Sequence, residues 1–192
     1  MASAPPGRLT WAQTRARLRA DHRRLLDALA SGPPGAARRS AYLHPSFVCV
    51  FLYRMANHFH RAGRRHLARL FWQLNAFATG SDINERADLG EGLVVMMPAG
   101  TAIMGTAGRN LTVMACAGLG GEVGRHEDVG AGPGLALLGD DVILEPHSGV
   151  LGPVRVGNRV RVCVGIALTK DAPDDTLVAG PEPRFLPRRD LP

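Results

Sequence analysis

Every sixth residue from Leu138 onward is aliphatic: Leu138, Leu144, Val150, Val156, Val162 and Leu168. Neither a helix nor an ordinary strand has that period, whereas a parallel β-helix does. Each six-residue step is one flat face of a coil, its aliphatic residue stacks inward on the equivalent residue one coil away, and three steps close a turn. A second inward position follows four residues later and is also small or aliphatic, at Val142, Ser148, Val154, Val160, Ile166 and Ala172. Ile83, Leu89 and Val95 keep the same step earlier, but Val95 and Leu138 are 43 residues apart, one more than a multiple of six. A loop is therefore expected between them, and the glycine-rich stretch Gly118 to Gly134 is where the sequence points.

The rest of the chain divides around this solenoid. Residues 1–9 are rich in Pro, Ala and Gly and read as disordered. Trp11 to Leu29 has helical spacing, and Ser31-Gly32-Pro33-Pro34-Gly35 is a stop and linker. From Pro45 an apolar-periodic segment runs to about Ala78 with Gly63 near its middle, so two helices or one kinked helix are expected. Phe47, Phe51, Phe59, Leu67, Leu70, Phe71 and Leu74 read as core and inter-helix packing. The expected organisation is a helical domain over 10–78, a parallel β-helix over 79–181 and a tail over 182–192. A helical cap would protect the open edge of the first coil, and solenoids of this width associate side by side, which makes a homotrimer the expected assembly.

A chain of 192 residues with 45% hydrophobic content can bury one core. It shows no apolar run long enough for a signal peptide or a membrane span, so a cytoplasmic protein is expected. Cys49, Cys116 and Cys163 sit far apart in apolar surroundings and read as buried thiols, with no disulfide framework and no metal site. The net charge is +6, and no carboxylate occurs from Ala28 to Ser81, a stretch holding Arg38, Arg39, Arg54, Arg61, Arg64, Arg65 and Arg69. Such a face could attract an anion or simply be solvated, and no aromatic platform for nucleic acid accompanies it. His58 and His60 are two apart on a helix and so face different sides. Ser148 occupies an inward position and reads as core.

From His44-Pro45 to Gly180-Pro181 the chain resembles the serine acetyltransferase family of hexapeptide-repeat enzymes. The carrying residues are His44-Pro45, Tyr53-Arg54, Gly63-Arg64, Leu67-Ala68-Arg69, Asp82-Ile83, Gly90-Glu91-Gly92, Leu119-Gly120-Gly121, Gly152 to Gly157, Lys170 to Pro173 and Val178-Ala179-Gly180. This covers about seven tenths of the chain. The resemblance implies a fold of mainly β with α, in which an α-helical N-terminal domain precedes a left-handed parallel β-helix. It also implies transfer from acetyl-CoA or another acyl-CoA, a small-molecule acceptor, and a homotrimer with neither membrane nor nucleic acid as partner.

The family's chemistry does not carry over residue by residue. Its Asp-His-Ala-Thr-Gly motif, whose histidine is the general base, falls on Met96-Met97-Pro98-Ala99-Gly100, fourteen residues after Asp82. A thioether accepts no proton at physiological pH, so Met97 cannot act as that base. Asp82, which would orient the histidine, is expected instead to cap a turn. The family's Asp-Arg-His-Pro-Lys motif falls on Gly130, Ala131 and Gly132 before Pro133, and the nearby Arg125-His126-Glu127-Asp128 is a candidate substitute or a solvated loop. The Gly-Ala-Gly turns that admit CoA read Glu145-Pro146-His147 and Cys163-Val164-Gly165. The candidate catalytic residues are therefore Asp82, His126 and His147. Met96, Met97, Arg125, Glu127 and Asp128 would meet substrate, and Gly121, Pro146 and Val164 would line the cofactor groove.

Three functional readings follow. The first is a divergent acyltransferase with an acceptor other than serine, and the second a catalytically silent binding or scaffold protein. The third is an enzyme of another reaction type in the same inter-subunit cleft. No complex with cysteine synthase is expected, because Asp190-Leu191-Pro192 lacks the terminal isoleucine with which the family docks.

Overall fold

The structure is a computed structural model that describes residues 7–30, 41–122 and 124–181. The expectations for residues 1–6, for the linker at 31–35 and for the tail at 182–192 lie outside the described residues. Three helices precede the strands: α1 (Trp11–Ala30), α2 (Pro45–Arg61) and α3 (Arg65–Thr79), with a short 3-10 turn at Ala41–Leu43. None of these helices is long and apolar enough to cross a membrane.

Local chemistry sets the helix ends. Thr10 and Gln13 form a reciprocal capping box at the start of α1, Thr10 Oγ1 accepting from Gln13 N at 3.2 Å and Gln13 Oε1 from Thr10 N at 2.8 Å. Pro45 occupies the first turn of α2 and His44 Nδ1 accepts from Ser46 N at 3.3 Å. Gly63, at φ 77°, separates α2 from α3 as two helices, and Gly80 ends α3 in the left-handed region.

The strands form three parallel sheets, the three sides of a prism. The first side holds β1 (Asp82–Ile83), β4 (Ala102–Ile103), β7 (Gly118–Gly120), β10 (Gly149–Leu151) and β13 (Ala167–Leu168). The second holds β2 (Asp88–Leu89), β5 (Thr106–Ala107), β8 (Leu137–Leu138) and β11 (Arg155–Val156). The third holds β3 (Val94–Val95), β6 (Thr112–Val113), β9 (Ile143–Leu144), β12 (Arg161–Val162) and β14 (Leu177–Val178). Leu138, Leu144, Val150, Val156, Val162 and Leu168 are all buried, and Val156 pairs one coil from Leu138 and Val162 one coil from Leu144.

The step of six breaks in three places, the last being Leu168 to Ala172, four residues that still pair Ala172 with Val156. Val95 to Ile103 takes eight residues and Ile103 to Ala107 only four, yet Ile103 still registers with Ile83 and Ala107 with Leu89. The second break is the loop. Gly118–Gly120 belongs to β7, so the excursion starts at Gly121, later than the sequence suggested. Leu119 and Leu138 are nineteen residues apart where the coil needs six, and the thirteen extra residues produce the excess of one over a multiple of six.

The first coil would leave a row of unpaired carbonyls, and polar groups of the helices cover them. Tyr53 Oη donates to Ala87 O at 2.8 Å, and Asn57 Nδ2 to Glu85 O and Ala87 O at 3.0 and 2.9 Å. Arg54 donates to Leu89 O and Gly90 O at 2.7 and 2.6 Å, and Arg24 to Gly92 O at 2.7 Å. The carboxylate-free stretch is thus not a wholly solvated basic face. Arg54 pairs with Asp21, Arg61 with Asp88 and Arg69 with Glu85, carboxylates that come from α1 and the first coil.

Two other expectations need correction. Leu67, Leu70 and Leu74 do not pack inside but form, with Phe77, an exposed ridge along α3, and Phe51 is also exposed. Only Cys49 is a buried thiol; Cys116 is exposed and Cys163 half-buried, because each sits at or beside a corner of the prism and points outward.

Candidate functional site

The candidate residues fall on two different corners of the prism. Where the chain turns from the third side to the first, Gly100, Cys116, His147 and Gly165 stack in successive coils beside Gly80, the end of α3, all with positive φ. Backbone bonds tie the stack: Gly100 N to Gly80 O at 2.9 Å, His147 N to Ala115 O at 2.9 Å and Gly165 N to Pro146 O at 3.1 Å. Cys116 Sγ lies 3.7 Å from Ala99 O, and a Cβ on Gly100 would stand 2.9 Å from that sulfur.

The Met96–Gly100 segment bulges at this corner because of its two extra residues. Met97 is 70% exposed at φ 56°, and Thr101 N closes the turn on Pro98 O at 3.0 Å. Asp82 lies at the start of β1 on the same side of the prism. It does not cap a turn: its Oδ1 accepts the indole N–H of Trp72 at 2.7 Å, and Arg69 lies over that ring at 4.5 Å from the centroid. The carboxylate thus has a partner that the sequence did not reveal.

The residues just ahead of the corner make a second column. Met96, Met114, Glu145 and Cys163 each follow the inward residue of a third-side strand, and their N–H groups bond Val113 O, Leu144 O, Val162 O and Val178 O. Glu145 is held by Arg161 at 3.3 Å, and its other oxygen accepts Val164 N at 3.1 Å. Pro146 has no N–H. The two turns that would face a CoA arm therefore offer it no backbone donor at Pro146 or Val164. A Cβ on Gly165 would meet nothing within 4 Å, so the surface there is open. An acyl-CoA arm laid along this corner would meet apolar Val164 in place of those backbone donors.

The loop leaves from the opposite end of the first side, where the chain turns to the second. Arg125 Nη1 meets Glu122 at 3.3 Å and Arg125 Nη2 meets Glu127 at 3.9 Å. Asp128 Oδ1 accepts from Gly130 N and Gly132 N at 2.8 and 2.9 Å, and these two bonds hold its carboxyl below the usual range. Gly134 N bonds Glu127 O at 2.8 Å, and a Cβ on Gly121 would stand 3.1 Å from Leu135. His126 is exposed. Within one protomer, then, His126 with Arg125, Glu127, Asp128 and Gly121 is set apart from Met96, Met97, His147, Pro146 and Val164. The three candidates Asp82, His126 and His147 do not form one cluster, since the first side of the prism lies between the loop and the other two.

Cys116 is the residue that sequence reasoning missed. It stands three residues after inward Val113, just as His147 stands three after Leu144 and Gly165 three after Val162. The offset was readable in principle, but the thirteen-residue loop shifts the frame and hides it. The corner thus presents a thiol, an imidazole and two thioethers where a coil needs only glycine.

No protein-family model matches the chain. Over 133 residues it is 29% identical to a serine acetyltransferase of Bacillus pumilus, covering 68% of this chain and 59% of the relative. Over 148 residues it is 31% identical to serine acetyltransferase 4 of Arabidopsis thaliana, covering 73% of this chain and 39% of the relative. The chain thus spans only part of these relatives' length. Serine acetyltransferase isoform 3 of Entamoeba histolytica, solved with cysteine, superposes with a TM-score of 0.75 at 19% identity, covering 92% of this chain and 63% of that one. A serine acetyltransferase solved with CoA superposes at 0.74 and 17% identity, covering 88% and 68%. The fold is the one these structures share, an N-terminal helical domain followed by a left-handed parallel β-helix. Sequence and architecture agree in likening the chain to serine acetyltransferases, by identity to the curated relatives and by fold to the solved structures.

Proposed function

We propose that the chain is a CoA-dependent acyltransferase whose acceptor is not serine, acting as a homotrimer with its sites between subunits. The observation that carries this reading is the turn of half-buried Met96 and exposed Met97 at the third-to-first corner, thioethers at the positions where the resemblance expects the family's aspartate and histidine. Acyl-CoA brings an activated thioester. The chain's own part is to present the acceptor, exclude water with Met96, Met97 and Val164, and take up a proton. An amine that enters neutral needs only a proton sink after attack, and His147 stands at that corner.

The same reading requires assembly. The loop bearing His126 and the corner bearing His147 are apart in one protomer, and one cleft can use both only when two protomers meet. The exposed ridge Leu67, Leu70, Leu74 and Phe77 supplies apolar surface for association. Three free thiols favour a reducing compartment, and we place the protein in the cytoplasm.

Thiol release from acetyl-CoA and longer acyl-CoAs, tested with serine and a panel of amines, decides the proposal. Serine gives no appreciable turnover, an amine does, light scattering reports a trimer, and His126→Ala or His147→Ala removes the activity. Serine turnover at the rate of ordinary family members, or full activity in both variants, overturns it. The silent-scaffold reading predicts no thiol release with any pair.

A further inference from the structure

We propose that the cavity between the start of α1 and the end of α2 binds a small planar anion, of which a nucleoside monophosphate is the best fit. The cavity measures about 310 Å³ and is lined by Arg8, Trp11, His58, Phe59 and Arg64 among others. That volume is at the small end of ligand pockets.

Its floor is aromatic and fixed. Trp11 lies on His58 with ring centroids 3.8 Å apart, and Phe59 meets Trp11 edge-on at 5.9 Å while stacking on Phe71 at 5.4 Å. His58 is only 5% exposed and its Nδ1 is engaged with Thr14 Oγ1 at 3.0 Å. The capping box of Thr10 and Gln13 holds the rim. Trp11 nevertheless remains 47% exposed, so one side of the largest side chain present is left for a further ring.

The charge has one sign. The cavity lining contains no carboxylate, and among the described residues neither Arg8 nor Arg64 takes part in an ion pair. The arginines nearby differ: Arg17 and Arg61 both face Asp88. Burial, and after it the charge of Arg64, hold His58 below the ordinary histidine range, so the floor adds no positive charge of its own at neutral pH. A planar ring against the open side of Trp11 brings an attached anionic group to the two guanidinium groups, whose forks suit phosphate and carboxylate alike. The inference is independent of the acyltransferase reading, because the cavity lies on the helical cap and shares no residue with the corner site.

The protein has two tryptophans, so Trp72→Phe leaves Trp11 as its only indole reporter. Adenosine monophosphate, adenosine, inorganic phosphate and benzoate are titrated into this variant by fluorescence, and into the unaltered protein by calorimetry. Adenosine monophosphate quenches saturably, while adenosine and phosphate alone bind at least about tenfold more weakly. Arg8→Gln with Arg64→Gln raises Kd by about tenfold or more, the expected loss for charge-assisted bonds. Benzoate binding more tightly than the nucleotide at the same arginines identifies the natural source as an aromatic carboxylate. Absence of saturable binding by both anions, or an unchanged Kd in the double variant with a native melting curve, overturns the proposal.

Discussion

Arg54 and Asp21 form a two-bonded ion pair inside the helical cap, Nε to Oδ2 at 2.8 Å and Nη2 to Oδ1 at 3.0 Å, with neither side chain more than 2% exposed. The pair also reaches the solenoid, since Arg54 donates to Leu89 O and Gly90 O and Asp21 Oδ1 accepts from Leu93 N at 2.8 Å. Removing one partner strands the other charge. Asp21→Ala is therefore expected to cost about 3–5 kcal/mol, seen in thermal melting as a fall on the order of 10 °C. A loss of under a degree would show that the pair does not bolt the cap to the first coil.

Stability also depends on pH through His58. Burial and the charge of Arg64 lower its pKa below that of an ordinary histidine, so below that ordinary value the unfolded chain binds more protons than the folded one. The contribution is complete above the unfolded pKa and is lost as pH falls through and below it. His60 acts in the same direction through burial. The melting midpoint should fall by a few degrees between about pH 7 and pH 5.5. His58→Asn, which keeps an acceptor for Thr14, should flatten that dependence, and an equally steep variant would exclude His58 as its source.

The corner between the second and third sides is packed backbone against backbone. A Cβ on Gly90 would stand 2.4 Å from Gly108 O, whereas one on Gly120 would find its nearest neighbour, Leu151 Cδ2, at 3.9 Å. Gly90→Ala should cost about 1–3 kcal/mol, and Gly120→Ala should stay within about 0.5 kcal/mol of the parent. Equal midpoints in denaturant for the two variants would contradict the packing described.

The three thiols should differ in reactivity. Cys49 is buried against Ser81 Oγ at 3.1 Å and burial pushes its pKa up, while Cys116 is exposed on the corner. In the native protein an alkylating reagent should therefore modify Cys116 first and leave Cys49 untouched until unfolding. Mass spectrometry of Cys116→Ser should show the fast phase gone. Should the corner be the site, alkylated Cys116 would also block thiol release from acyl-CoA.

The solenoid was legible because its core repeats. Leu138 through Leu168 must stack on equivalents one coil away, so burial imposes a period that survives in the sequence without any tertiary knowledge. The two helices on either side of Gly63 were legible for a similar reason, since local periodicity and a backbone that needs positive φ are properties of adjacent residues. That Met97 and Gly132 carry no group able to hold a proton was likewise legible, being a property of the side chains themselves.

What the sequence could not reveal are relationships between residues far apart in the chain with no period to link them. The hydrogen bond from Trp72 to Asp82, the cover given to Leu89 and Gly90 by Arg54, and the exposure of Cys116 all depend on where the helices lie on the first coil. The ridge of Leu67, Leu70, Leu74 and Phe77 has the pattern of a buried face, and only the packed structure shows it turned outward. The third-to-first corner collects Gly100, Cys116, His147 and Gly165 because the loop absorbs thirteen residues between coils. Inward positions are determined by hydrophobic repetition, which is written locally; outward positions at a corner are determined by how many residues each coil spends, which is decided only when the chain has closed on itself.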